Sequence, residues 1–272
     1  MNELAIVIVS FNARDTLDRC LASLHAHPPR TPHDIVVVDN ASGDGSADLV
    51  RMRWPHVRVI PLAENIGFAR GTNVGLRQSR SELALLLNSD TVAPPEAIDR
   101  LVAVLRAHPE AAVVGPRLVD EHDRVELAMG RMIGPFNELW QKTIGGLHGA
   151  GVWPARRYVE RLTSRERPVD WVSGACLLVR RADAEAVGLL DERFFMYAED
   201  VDFCAAIRRR GRAIVFTPAA TLVHLRGRSA ATAPAATHAA YRLSQIAFYE
   251  KHHPRWVPLL RAYLRVRGKM RG

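Results

Sequence analysis

Two spacings of apolar residues alternate through the first half of the chain. The runs Leu4–Val9, Asp34–Val38, Val57–Ile60 and Glu82–Leu87 are short and rich in branched residues, as strands buried on both faces are. Between them the spacing turns helical. Asp15–His25 places Leu17, Leu21 and Leu24 on one face, and Pro94–His108 does the same with Ile98, Leu101, Val102 and Leu105. Asp44–Arg53 and Gly67–Ser79 read as the helices after the second and third strands, and Pro94-Pro95 suits a helix start. Strand followed by helix in this order predicts an α/β fold built on a parallel sheet with right-handed crossovers.

From about 121 to 168 the pattern weakens. Gly134-Pro135, Gly145-Gly146 and Gly149-Ala150-Gly151 punctuate it, and the segment reads as a variable insertion or loop region. Pattern returns at Asp170–Arg180, a helix is expected over Val201–Arg210, and two short strands around Ala213–Phe216 and Thr221–Leu225. Ala236–His252 reads as helix and the alanine-rich stretch Ala230–Ala236 as a loop.

Ligands bind open parallel sheets outside the carboxyl ends of the strands. There this sequence places Ser10, Phe11 and Asn12 after the first strand, Asp39, Asn40 and Ser42 after the second, Asn65 and Gly67 after the third, and Asn88, Ser89 and Asp90 after the fourth. Such residues also begin turns and cap helices. Their arrival from successive strands at one edge favours a site. Asp39 could accept the imide N–H of a uracil or thymine ring, since Asp44 and Ser42 are better placed to cap the next helix. Gly67, Gly71 and Gly75 recur every fourth residue, which is not the dinucleotide fingerprint and argues against a dehydrogenase. Close approach of backbone to a ligand or a neighbouring helix is the expected reason. Asp90 ends an apolar strand and could join a hard cation to phosphate oxygens. Glu199, Asp200 and Asp202 stand beside an aromatic cluster, Phe194, Phe195 and Tyr197, at a helix start. Acids there suit the helix dipole, yet adjacent acids among apolar neighbours are also how a carboxylate base is tuned. His224 closes another apolar strand as a candidate metal ligand.

Composition narrows the class. With 272 residues, 48% of them apolar, and 24% charged, the chain can bury a full core and is neither disordered nor a disulfide scaffold. Cys20, Cys176 and Cys204 show no metal-binding spacing and suit a reducing, cytoplasmic setting. No signal peptide or membrane-spanning run is expected. The net charge of +8 is concentrated at the end: residues 251–272 hold seven Lys and Arg and no acid, leaving 30 against 29 elsewhere. A nearly neutral body with a basic tail does not describe a phosphate-tracking groove, so nucleic acid is not an expected partner.

The stretches 6–10, VVVDNASGDGS at 36–46, NIGFARGTNVG at 65–75, LLNSD at 86–90, WVSGACLLVRR at 171–181, FFMYAEDVDFC at 194–204 and FTPAATLVH at 216–224 together resemble a family 2 glycosyltransferase of GT-A fold. They are most similar to the rhamnosyltransferase-type bacterial members that build cell-surface polysaccharides. The resemblance spans residues 4–228 in order. It implies a GT-A domain over 1–228, with a nucleotide-binding half at 1–120 and an acceptor and catalytic half at 121–228, followed by a helical basic extension at 229–272.

Carried over by position, the resemblance implies nucleotide contacts from Ser10, Asp39, Asn65, Gly67, Ser89 and Asp90, and a divalent cation, Mg²⁺ or Mn²⁺, held by Asp90 and His224. Asn88 stands where the family's aspartate pair has its first acid, which removes one charge from the metal site. Asp200 matches the catalytic base, and Trp171, Gly174, Ala175 and Glu199 fall near the acceptor. The implied reaction is inverting transfer from a dTDP- or UDP-sugar, rhamnose among the candidates, to a saccharide or polyprenyl-linked acceptor. A sugar-nucleotide nucleotidyltransferase is the first alternative, but Ser10–Arg14 lacks that class's glycine-rich phosphate loop. A nucleic-acid-binding module using the tail is the second.

On a helical wheel Trp256, Leu259, Leu260, Tyr263 and Leu264 group opposite Arg261, Arg265 and Lys269. Residues 256–271 therefore suit either a peripheral helix on an anionic inner-membrane surface or a helix docked on the body.

Overall fold

The computed structural model describes residues 2–225 and 234–266. The first strands form as the branched runs predict: β1 (Leu4–Ser10), β2 (His33–Asp39), β3 (Arg58–Pro61) and β4 (Leu83–Asn88). They are parallel in the order β3-β2-β1-β4. Helices α1 (Arg14–Ala26), α2 (Ser46–Arg53) and α3 (Phe68–Arg77) make the crossovers. Beyond β4 come β5 (Thr91–Val92), α4 (Ala97–Ala107), β6 (Ala111–Val119) and β7 (Met129–Gly130). Pro94-Pro95 precede α4 rather than opening it, because Glu96 at φ +63° turns the chain first.

The expectation of a loop region at 121–168 is overturned. Two helices, α5 (Pro135–Gly149) and α6 (Trp153–Leu162), occupy most of it. Gly145 and Gly146 sit inside α5, where an added Cβ would meet nothing within 4 Å. They weaken the helix pattern without any packing need for glycine.

The sheet then changes direction. After β8 (Arg167–Val169) and β9 (Trp171–Val172), strand β10 (Cys176–Arg180) runs antiparallel between β4 and β6. Helices α7 (Arg181–Ala186) and α8 (Glu199–Arg209) follow. The two strands expected after them are one, β11 (Ala213–His224), whose register against β6 shifts between Thr217 and Thr221. β11 also pairs with β8 and, at its far end, with β5. Helices lie on both faces of this mixed sheet. Leu4, Ile6 and Ile8 face Leu17 and Leu21 of α1 and Leu101 of α4, and Val7 faces Leu76 of α3 and Phe203 of α8.

The chain beyond 228 is not a detached extension. Helix α9 (Pro234–His252) packs Phe248 and Tyr249 on Phe194 and Val201. Lys251 Nζ and His252 Nε2 reach the buried Asp202 at 2.8 and 2.6 Å. Helix α10 (Val257–Val266) docks through Val257, Leu260 and Leu264. The expected single apolar side is therefore split, with Leu259 and Tyr263 left exposed. Most of the stretch Ala230–Ala236, and Arg267, Lys269 and Arg271, lie outside the described residues.

Two of the every-fourth glycines, Gly71 and Gly75, lie against the sheet. A Cβ on Gly75 would lie 2.4 Å from Val7 Cγ1, and one on Gly71 would lie 3.1 Å from Val9 Cγ1. Gly75→Ala should therefore cost about 1–3 kcal/mol by overpacking. Gly145→Ala, with open space around it, should add up to about 1 kcal/mol of stability through helix propensity. Urea denaturation of the two variants checks both signs.

Candidate active site

The carboxyl ends of β1 and β2 hold a buried polar pair. Ser10 and Asp39 are register partners, and both are almost wholly enclosed. Asp39 Oδ2 accepts the Ser42 N–H at 3.1 Å, while Asp39 Oδ1 and Ser10 Oγ have no hydrogen-bond partner among the described residues. Leaving such atoms unpaired is costly, so the pair suits a ligand that completes it.

The loops around the pair are tied down by other residues. Asp44 accepts from the Arg14 and Ser46 N–H groups at 2.9 and 3.0 Å, and these bonds outweigh partial burial to hold its carboxyl below the usual range. Asn40 bonds the backbone of Ile66 and Gly67. Asn65 Oδ1 accepts the Gly67 N–H at 3.0 Å, so its side chain shapes this loop. Gly67, expected to line the nucleotide pocket, owes its missing side chain to packing: at φ +87° its Cβ would fall 2.4 Å from Phe195 O.

A second cluster forms where β5 meets β11. The pairing of His224 with Thr91 brings the imidazole to the preceding residue, and His224 Nε2 lies 3.2 Å from Asp90 Oδ1. On the other side His224 Nδ1 lies 3.1 Å from Glu126 Oε2. Burial opposes a charge on this imidazole, but the two carboxylates outweigh it and push its pKa up to about 9. Asp90 and His224 thus stand in direct contact, a carboxylate that suits Mn²⁺ or Mg²⁺ beside an imidazole that must lose its proton to act as a ligand. Among the described residues no group of three or more acids, histidines or cysteines is arranged to hold an ion. Glu126 was not legible in the sequence. It follows β6 in the weakly patterned segment, and only the fold brings it to His224, where it fixes the ring as an outer carboxylate does in metal sites.

The third element is the start of α8. Asp200 accepts the Gly174 N–H on Oδ2 and the Val201 N–H on Oδ1, both at 2.8 Å. Burial raises its pKa and those donors only partly offset this. The next residue of the Gly174 loop, Ala175, offers its carbonyl to Asn88 N at 3.0 Å and Thr91 Oγ1 at 3.3 Å. One dipeptide therefore holds Asp200 on one side and the Asp90 loop, Ser89 included, on the other. Glu199, expected to face the acceptor, is buried instead: burial and then the neighbouring Asp200 raise its pKa well above the usual value, and its Oε2 has no partner among the described residues. Tyr197 and Ala198, which precede the acids, both have φ near +70°, at +71° and +66°. Such strain in non-glycine residues collects at functional sites.

Beside these groups opens a cavity of about 980 Å³, lined in part by Glu126, Trp171, Leu225, Lys142, His148 and Tyr241. Trp171 is held across it by its Nε1–H, which donates to Arg131 O at 2.9 Å.

Sheet and site together define a GT-A glycosyltransferase. Residues 5–188 match the model of glycosyl transferase family 2, and the chain belongs to that family. It is 32% identical over 291 aligned positions to the N-acetylglucosaminyl-diphospho-decaprenol L-rhamnosyltransferase of Mycobacterium tuberculosis, covering 98% of this chain and 94% of that one. Among solved structures, it resembles the mannosyltransferase PcManGT from Pyrobaculum calidifontis in complex with GDP-Man and Mn²⁺, with a TM-score of 0.62 and 18% identity over 96% of this chain and 69% of that one. GalNAc-T7 with UDP, GalNAc and Mn²⁺ gives a TM-score of 0.61 and 16% identity over 83% of this chain and 43% of that one.

Removing the carboxylate behind His224 should loosen the metal site without emptying it. Glu126→Gln is expected to weaken Mn²⁺ binding about 10- to 100-fold, read by electron paramagnetic resonance titration with UDP present. Unchanged affinity would separate Glu126 from the metal site.

Proposed function

We propose that this glycosyltransferase moves a sugar, rhamnose, from a dTDP- or UDP-sugar to a hydroxyl of a lipid-linked saccharide acceptor, with inversion at the anomeric carbon. The observation that carries this reading is the Gly174-Ala175 junction. It holds a carboxylate base, Asp200, against the loop of a candidate metal ligand, Asp90. The similarity to a rhamnosyltransferase along nearly the whole chain supports the choice of sugar and acceptor.

Each end of the donor finds suitable chemistry. Asp39 Oδ1 and Ser10 Oγ supply an acceptor and a hydroxyl for a pyrimidine base and its sugar. A divalent cation, Mg²⁺ or Mn²⁺, held by Asp90 and His224 would neutralise charge on the departing diphosphate. The acceptor hydroxyl then attacks C1 from the face opposite the diphosphate. Its oxygen bonds to C1, the C1–phosphate oxygen bond breaks, and Asp200 takes the hydroxyl proton. A single base with no separate nucleophile implies inversion. Trp171, in the wall of the cavity, and the Gly174-Ala175 loop line the acceptor's approach.

Two measurements test the assignments. Asp39→Ala should weaken UDP or dTDP binding about 10- to 100-fold, the loss of one charge-assisted hydrogen bond, by isothermal titration calorimetry. Retained affinity would place the base elsewhere. Asp200→Asn should lower kcat by about 10²–10⁴-fold while leaving nucleotide affinity nearly intact. Because catalysis needs the ionised carboxylate and burial raises its pKa, wild-type activity should fall as pH drops through a value above the ordinary aspartate range. A pH–rate profile of kcat without that acid limb, or near-normal turnover by Asp200→Asn, would remove Asp200 as base.

A further inference from the structure

Helix α5 turns its polar face inward and its apolar face outward. Glu138, Gln141, Lys142, Gly145 and His148 line the cavity, while Phe136, Leu139, Trp140 and Leu147 stand on the opposite side. Phe136 is 76% exposed and Leu139 66%. This orientation is locked. The buried Glu138 carboxylate accepts from Gln245 Nε2, Tyr249 Oη and Lys142 Nζ, each at 2.5 Å, so the helix cannot roll to hide its aromatic stripe.

The stripe continues onto two neighbouring helices. Phe136 meets Trp256 edge to face at 5.8 Å between ring centroids, which joins it to Leu259 and Tyr263 on the outer side of α10. Trp140 meets Tyr158 of α6 at 6.4 Å, and Trp153, 67% exposed, carries the guanidinium of Arg157 over its ring. An apolar surface spanning three helices exceeds the scattered exposure usual on a soluble monomer. On the same helices and the segments flanking them stand exposed Arg131, Arg161, Arg255 and Arg265, whereas Lys142 and Arg156 line the cavity. Glu160 is the exposed acid within α6, and residues 251–272 contain none.

We propose that this surface seats the protein on an anionic lipid bilayer, with Phe136, Trp140, Trp153 and Trp256 entering the headgroup region and the basic rim facing lipid phosphates. An aromatic face with a Lys/Arg border is the composition of helices that lie in the plane of a membrane. A second copy of this chain is a poor occupant, because it would bring the same basic rim against itself. Among the described residues no helix is long and apolar enough to cross a membrane, so attachment is peripheral. The polar side of α5 would then hold the cavity just above the lipid. Where the acceptor is lipid-linked, which rests on the function proposed above, its sugar would enter from that side.

The test is co-sedimentation of the full chain with vesicles of phosphatidylcholine, with and without phosphatidylglycerol, and with no donor or acceptor present. The wild type should bind the anionic vesicles, and Phe136→Ser/Trp140→Ser/Trp153→Ser should lower the partition constant at least about tenfold. Its thermal melt and its turnover of a water-soluble acceptor should stay near wild type. Arg161→Glu/Arg255→Glu should also weaken binding, with the deficit growing at low salt. Equal vesicle binding by the wild type and the aromatic variant would overturn the proposal. So would failure to bind anionic vesicles, or a dimer in sedimentation velocity that the aromatic variant abolishes. Loss of turnover on the soluble acceptor by the wild type itself would instead count against the proposed function.

Discussion

Strand β10 is the constraint on which the site depends. It runs antiparallel into the gap between β4 and β6, and so delivers the loop before it, residues 173–175, to the carboxyl end of a parallel strand. There Ala175 O accepts the Asn88 N–H, and the Gly174 N–H donates to Asp200 Oδ2. A side chain at 174 would press on Asp200, since a Cβ there lies 3.3 Å from the aspartate Cβ. The proposed base and the candidate metal ligand's loop therefore share one backbone support. Such mutual support is what a reaction requiring alignment within a fraction of an ångström demands.

Acid is concentrated around this junction, and its neutralisation is selective. Asp202 is fully compensated by Lys251 and His252, and Glu138 by Lys142, Gln245 and Tyr249. Both sets of contacts involve α9, so the helix beyond the family's matched region stabilises the catalytic half by satisfying buried carboxylates. Among the described residues, the hydrogen-bond donors to Asp200 are the backbone N–H groups of Gly174 and Val201. That difference leaves Asp200, like the adjacent Glu199, with a raised pKa, two positions from a carboxylate that is tied up structurally, which suits the base role proposed for it.

The nucleotide half was legible because its signals are local. Branched runs, helical spacing and polar residues at strand ends all lie within single elements, and β1 to β4 with α1 and α3 follow them within a few residues. The acceptor half hid for a physical reason. Helix α5 buries a glutamate and exposes aromatics, and it contains glycines that packing does not require, so the usual rule relating apolar positions to the core fails there. Glu126 was out of reach because its partner is 98 residues away, and the two meet where the chain folds back onto the end of β6 beside β11. The glycines of α3 were visible as a pattern, but whether they faced sheet or ligand depended on the helix's roll over Val7 and Val9.

Strain and locking meet at the segment that separates donor from base. Tyr197 and Ala198 adopt left-handed φ values without being glycine, at a cost on the order of 1–3 kcal/mol each. They persist because the preceding carbonyls are held from two sides: Phe195 O accepts the Phe68 N–H at 2.6 Å, and Met196 O accepts Ser244 Oγ at 2.7 Å. The first contact reaches α3 next to the nucleotide loop, and the second reaches α9. Because α9 also grips Glu138 of α5 through Gln245 and Tyr249, the strained turn, the catalytic helix and the outward aromatic stripe share one set of supports. Through α9, hydrogen bonds therefore join α5 to the turn that precedes Asp200.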